Sequence, residues 1–155
     1  MGERILVKVT GDLMEEQRFY DWLKKTIKRD DELSLILGAG SQTKALLEKR
    51  KIPYKFVGPK GFTRRRIESY EGRKMVYFLE RKIKNTVQHK LTWAGITASI
   101  IDSNLEVDGE YLTQNGDLMT MGLFHNFDKT YVITLPEPDR EKPFLKDFGI
   151  EVIYL

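Results

Sequence analysis

Short apolar runs alternate along this chain with stretches in which apolar side chains recur at helical spacing. Residues 4–9 read as a strand, with Lys8 the one charge inside its apolar run from Ile5 to Val9. Phe19, Trp22, Leu23 and Ile27 then follow helical spacing with charges between them. Residues 33–37 predict a second strand, and 42–51 a short helix with Ala45, Leu46 and Leu47 inward. Residues 54–57 read as a third strand, ended by the loop signal Gly58-Pro59-Lys60-Gly61. A long helix over 68–94 carries Val76, Leu79, Ile83, Val87, Leu91 and Ala94 on one stripe, with Gly95 as its C-cap. Residues 97–101 predict a fourth strand, and Asp108-Gly109 a tight hairpin turn. Residues 117–127 read as a helix capped by Asn115 or Asp117, with Tyr77 and Phe78 of the preceding long helix assigned to the core. A strand over 130–135, a charged proline-bearing loop over 136–143 and a closing strand over 150–154 complete the pattern.

Strands that alternate with helices predict a mostly parallel sheet covered on both faces, an α/β fold of three layers, α/β/α. Right-handed crossovers then bring the ends of the first two strands to one edge of the sheet. Both ends carry glycine turns that lead into helices: Thr10-Gly11-Asp12 and Gly38-Ala39-Gly40-Ser41. Such a turn gathers backbone N–H groups and a helix dipole at one point, a place for a phosphate or carboxylate. With Lys8 beside the first turn, an anion site at the carboxyl edge is expected, and Lys8→Ala is expected to weaken it without unfolding the chain.

Composition narrows the classes. At 155 residues with 41% hydrophobic content, the chain reads as one compact domain, 1–155. It holds no run of about 18 apolar residues, so no membrane span is expected. A strand stands where a signal peptide needs a longer apolar stretch, which points to the cytoplasm. Cysteine is absent, and His89 and His125 lack partners at ligand spacing, so no metal site is predicted. High Lys and Glu without cysteine is a composition met in thermophiles. The net charge is +3, but basic residues crowd between Lys44 and Lys90, with the cluster Arg64-Arg65-Arg66 at their centre. An anionic partner follows; the charge fits a small anion and nucleic acid equally, and a small anionic ligand is the expected partner.

Several blocks together resemble the amino acid kinase superfamily, the group of acetylglutamate, aspartate, carbamate and uridylate kinases. Lys8-Val9-Thr10-Gly11-Asp12-Leu13 is similar to the family's opening motif. Gly38-Ala39-Gly40-Ser41, with Ala45-Leu46-Leu47 and Lys51-Ile52-Pro53 after it, resembles its Gly-Gly-Gly turn and following helix. Gly61 with Arg64-Arg65-Arg66 resembles a Gly-x-x-x-Arg segment. Ile83 through Val87, then Leu91, Gly95 and Ala98, resembles a helix-and-strand block. Asp108-Gly109, Asn115-Gly116-Asp117 and Lys129 through Leu135 resemble the later Asp-Gly…Asn-Ala-Asp…strand block. The blocks fall in the family's order.

The resemblance implies a carbamate-kinase-like fold, in compact form, and a set of roles. Lys8 would stabilise charge on a transferring phosphoryl group, and Asp117 would orient it. Gly11 would let backbone approach the phosphates, and Gly38, Ala39 and Gly40 would hold the acceptor through N–H groups. Arg65, with Arg64 and Arg66 as alternatives, would bind a substrate carboxylate, and Asn115 would touch substrate. ATP and Mg²⁺ would be the cofactors of an active enzyme. The family's chains are longer, however. They insert sheet and helix where this chain has only 102–107, and after the strand at 130–135 they continue into a nucleotide-binding lobe with a second lysine. Here Pro136 and a charged loop follow, and neither Lys142 nor Lys146 lies in a matching motif. Ala39 replaces the central glycine of the second turn. Three functions follow: a shortened kinase for a small acid, an inactive ligand-binding or regulatory relative (as a homodimer or with a full-length kinase), and a nucleic-acid-binding module.

Overall fold

The computed structural model describes residues 1–59, 65–136 and 143–155. Five strands form one parallel sheet: β1 (Arg4–Thr10), β2 (Glu32–Gly38), β5 (Ser99–Ile101), β8 (Lys129–Thr134) and β9 (Glu151–Tyr154), in the order β5-β2-β1-β8-β9. β1 lies at the centre, paired with β2 from Arg4↔Glu32 to Thr10↔Gly38 and with β8 from Ile5↔Lys129 to Val9↔Ile133. Its burial explains the position: every residue from Ile5 to Thr10 is buried, as a strand covered on both faces must be.

Alternation along β1 divides the core. Ile5, Val7 and Val9 face one side with Leu33, Leu35, Leu37 and Ile133. Helix α1 (Gln17–Thr26) covers that side with Phe19 and Leu23, and the C-terminal half of α3 (Tyr70–Ala94) does so with Val87 and Leu91. Leu6 faces the other side with Ile36 and with Met119 of α4 (Gly116–Leu123). Val132 and Ile150 meet Leu145 of α5 (Pro143–Lys146) there as well. The predicted parallel sheet with helices on both faces is therefore present, and Gly95 closes α3 in the left-handed conformation at φ 70°.

Several boundaries and one placement differ from expectation. Residues 54–57 do form a strand, β3 (Tyr54–Val57), but it pairs antiparallel with β4 (Arg65–Glu68) in a separate two-stranded ribbon. Its Lys55 and Phe56 are exposed, and a strand with no second apolar face has no place inside a parallel sheet. Glu68 belongs to that ribbon, so α3 begins later, capped by the Ser69 Oγ that accepts from the Gly72 N–H. The hairpin at Asp108-Gly109 is formed by β6 (Asn104–Val107) and β7 (Glu110–Thr113). Helix α2 (Gly40–Lys49) buries Leu47 but leaves Ala45 exposed, because Thr43 takes the inward position one turn earlier. Phe78 is 55% exposed instead of internal; it joins Tyr70 and Tyr77 around Tyr111, which docks β6–β7 on the N-terminal half of α3. The loop over 137–142, including Lys142, and Gly61 with Arg64 lie outside the described residues. Among the described residues no helix is long and apolar enough to cross a membrane.

The two ends of α3's last turns give a direct check on its orientation. Leu91 is fully buried and Trp93 is 91% exposed. Leu91→Ala is expected to cost about 2–5 kcal/mol, and Trp93→Ser less than about 0.5 kcal/mol. Denaturant unfolding measures both, and similar losses would mean the helix is rotated from this placement.

Candidate functional site

The strand order runs outward from β1 in both directions, β2 and β5 on one flank and β8 and β9 on the other. The topological switch point thus falls between β1 and β8, where open α/β sheets place ligands beyond the strands' carboxyl ends. A cleft of about 300 Å³ lies at that edge. Its floor is the ends of β1, β2 and β8 and the starts of α2 and α4, and its outer wall comes from the two hairpins and α3.

Lys8 rises from this floor on the same side of β1 as Leu6. Its ammonium is 3.2 Å from Asp117 Oδ1, and both side chains are about nine-tenths buried. The lysine stem runs through a slot between two glycines. A Cβ at Gly38 would stand 3.2 Å from Lys8 Cε and 3.1 Å from the Val9 carbonyl oxygen; one at Gly116 would stand 3.3 Å from Lys8 Cε. Both glycines are therefore small for the sake of the lysine. Asn115 holds the start of α4, its Oδ1 accepting from the N–H groups of Asp117 and Leu118 at 2.9 and 3.2 Å.

Helix α2 begins at the same floor with Ala39 as its N-cap and no side-chain cap. Its first-turn N–H groups have no intrahelical acceptor and carry the positive end of the helix dipole. Gly38, Ala39, Gly40 and Ser41 all line the cleft. So do Thr43 and Thr134, whose hydroxyls are buried and have no hydrogen-bond partner among the described residues. These hydroxyls and the uncapped helix end leave polar groups without a protein partner at the cleft among the described residues.

The outer wall brings further charge. Arg65 and Arg66 of β4 line the cleft, and Arg66 Nε donates to Glu68 Oε2 at 3.2 Å within an almost fully buried pair. Glu80 of α3 also lines it. Its Oε2 accepts from Ser103 Oγ at 3.1 Å and from Asn104 Nδ2. Burial pushes the Glu80 carboxyl up to about 7, against the opposing pull of those donors and of Arg66.

Seven of the eight site residues expected from sequence meet here: Lys8, Asp117, Gly38, Ala39, Gly40, Arg65 and Asn115. Gly11 does not. It is buried behind the floor, where its carbonyl accepts from Gln42 Nε2 at 2.7 Å and a Cβ would come within 2.5 Å of the Gly38 carbonyl oxygen. Its small size serves the packing of one turn against the other. Asn115 reaches the cleft with its Oδ1 already committed to capping. Lys146, on α5, is exposed and away from the cleft. Comparison of the chain with protein-family models, with curated proteins and with solved structures finds no match. Glu80, Thr43 and Thr134 were not legible in sequence, since each stands in an element defined by its apolar neighbours and joins the cleft only through tertiary placement.

Chemically, the cleft sets Lys8, Arg65, Arg66 and the α2 N-terminus against Asp117 and Glu80, with Glu68 behind Arg66. The arrangement can hold an oxyanion and neutralise charge that develops on it. Among the described residues no three His, Cys, Asp or Glu side chains converge to hold a metal. Among the described residues the carboxyls that line the cleft are Asp117 and Glu80.

Proposed function

We propose that this chain is an amino-acid-kinase-like domain that binds a small carboxylate- or phosphate-bearing ligand at the carboxyl edge of its sheet. The observation that carries the reading is the convergence of the buried Lys8–Asp117 pair with the uncapped, glycine-lined start of α2. Asp117 fixes the ammonium in its slot, so Lys8 meets an oxyanion already oriented. The Gly40 and Ser41 N–H groups and the Thr43 and Thr134 hydroxyls supply further donors, and Arg65 reaches a second anionic group. The cleft's size suits a compact ligand, at the small end of ordinary ligand pockets.

Phosphoryl transfer from ATP belongs to the same reading. Lys8 would stabilise the transferring group, and its proximity to Asp117 keeps it from following substrate motion. The alternative within this reading is a domain that binds the anion without turnover.

Calorimetric titration with sulfate, phosphate and small dicarboxylates tests the binding, with an expected Kd on the order of 1 mM for a bare oxyanion. ADP release from MgATP against acidic amino acids and nucleoside monophosphates then separates kinase from binding domain. Absence of any anion binding would remove the reading altogether.

A further inference from the structure

We propose that Glu80 is itself a ligand-binding residue of this cleft, and that it meets the bound anion as the neutral acid, so that each anion bound brings a proton with it. The inference rests on the binding reading above and adds a residue and a proton to it.

The charge arrangement carries the argument. Three carboxyls, Asp117, Glu68 and Glu80, belong to or adjoin the wall of one cleft. Among the described residues two of them have a cation of their own: Asp117 has Lys8 at 3.2 Å, and Glu68 has Arg66 at 3.2 Å. Glu80 has two neutral donors instead, Ser103 and Asn104, both on Oε2. The remaining charged groups around it do not change this. On its own helix, Arg81 donates to the Tyr77 hydroxyl and Lys84 pairs with Asp102 at 2.7 Å. From β4, Arg66 favours the ionised form and Glu68 opposes it. From β2 and the start of α2 the neighbours are Leu37 and Ala39, which carry no charge.

Glu80 lines both the cleft and a small cavity behind it, whose wall also carries Arg81, Lys84 and Asp102. An anion entering the cleft meets Lys8, Arg65 and Arg66 on its other walls and adds negative charge beside Glu80, the lining carboxyl that makes no ion pair among the described residues. A carboxylate there opposes binding; a carboxylic acid can donate an O–H to the anion's oxygen. The proton comes from solvent, and no covalent bond to the ligand forms or breaks. The group's resting value near 7 places the change where small shifts matter. Since binding raises that value further, affinity is full below about pH 7 and declines as pH rises through the bound-state value. His89 and His125 lie outside the cleft lining.

The test uses sulfate, whose charge does not change across the range, in calorimetry at about pH 6 and about pH 8.5. Buffers of different ionisation enthalpy report protons taken up. The wild-type chain is expected to take up a substantial fraction of a proton per sulfate near neutral pH, and to bind about tenfold more weakly at the higher pH. Glu80→Gln, which mimics the neutral acid, is expected to bind without proton uptake and without pH dependence. Wild-type binding with neither uptake nor pH dependence overturns this proposal and leaves the anion site standing. A pH dependence retained in Glu80→Gln overturns it too, by assigning the proton to another group. No sulfate binding at any pH overturns the anion site, and the proposal with it. If Glu80→Gln folds poorly, Ser103→Ala, which removes a donor that favours the ionised Glu80, is expected to move the pH midpoint of wild-type-like binding upward, and an unmoved midpoint overturns the proposal.

Discussion

Replacing Lys8 with methionine is expected to abolish anion binding and to destabilise the fold by about 3–5 kcal/mol, the usual result of stripping one partner from a buried pair. Met preserves most of the lysine stem in the slot between Gly38 and Gly116, so the loss reports the ammonium and not a cavity. The group that loses the ammonium is Asp117, 9% exposed, on the helix start that Asn115 caps. Lys8→Ala adds a cavity to the same defect and is expected to cost at least as much, because the side chain is the buried half of an ion pair. Adding Asp117→Asn to Lys8→Met is expected to recover most of the lost stability and none of the binding. Denaturant unfolding and sulfate titration of the single and double variants check this. If Lys8→Met binds sulfate as well as the parent, the cleft is not the site. If the double variant is no more stable than Lys8→Met, the pair does not carry the destabilisation.

The second large effect is at Gly11. A Cβ there would fall 2.2 Å from Gln42 Oε1, which can swing away, and 2.5 Å from the Gly38 carbonyl oxygen, which cannot. β1 and β2 would have to part at their ends, in the middle of the sheet. Gly11→Ala is therefore expected to cost about 2–4 kcal/mol, at the upper range for forced overpacking. Gly40→Ala is the matched control. Nothing lies within 4 Å of its Cβ, and the residue opens α2, so its stability should stay within about 0.5 kcal/mol of the parent. Thermal or denaturant unfolding of the two variants decides it. Equal stability would show that the turns do not pack as closely as the distances indicate.

These effects separate what could be read from residues in order and what could not. The apolar runs at 4–9, 33–37 and 130–135 announced the three central strands, because a strand buried on both faces has to be apolar nearly throughout. Lys8 stood out for the same reason, as a charge where none is tolerated without a partner. Its partner Asp117 was legible from local pattern as one of two candidate caps, and only the family resemblance implied that it orients Lys8. Asn115 does the capping, and the 3.2 Å ion pair arises because α4 lies on the Lys8 side of β1.

The hairpin β3–β4 was half visible. Residues 54–57 look like a strand locally, but local pattern does not say which neighbour a strand takes, and β4 is a short, charged segment without alternation. Phe78 illustrates a related gap. An aromatic beside a helix stripe is assigned inward by spacing, whereas here it covers Tyr111 from outside. Glu80 was invisible because a glutamate on a long charged helix looks like any solvated residue. Its chemistry comes from burial between α3, the two hairpins and the sheet edge.

The chain's order of apolar and polar positions, by itself, determined the alternation of strands and helices, the parallel sheet and the carboxyl edge where two glycine turns meet. Periodicity acts over a few residues, and that reach is enough to decide which face of an element is apolar. The pairing of Lys8 with Asp117, the retreat of Gly11 behind the floor and the enclosure of Glu80 were decided only by tertiary structure. Each depends on contacts between segments distant in the chain, and a group's charge, partner and solvent are properties of the place where those segments meet.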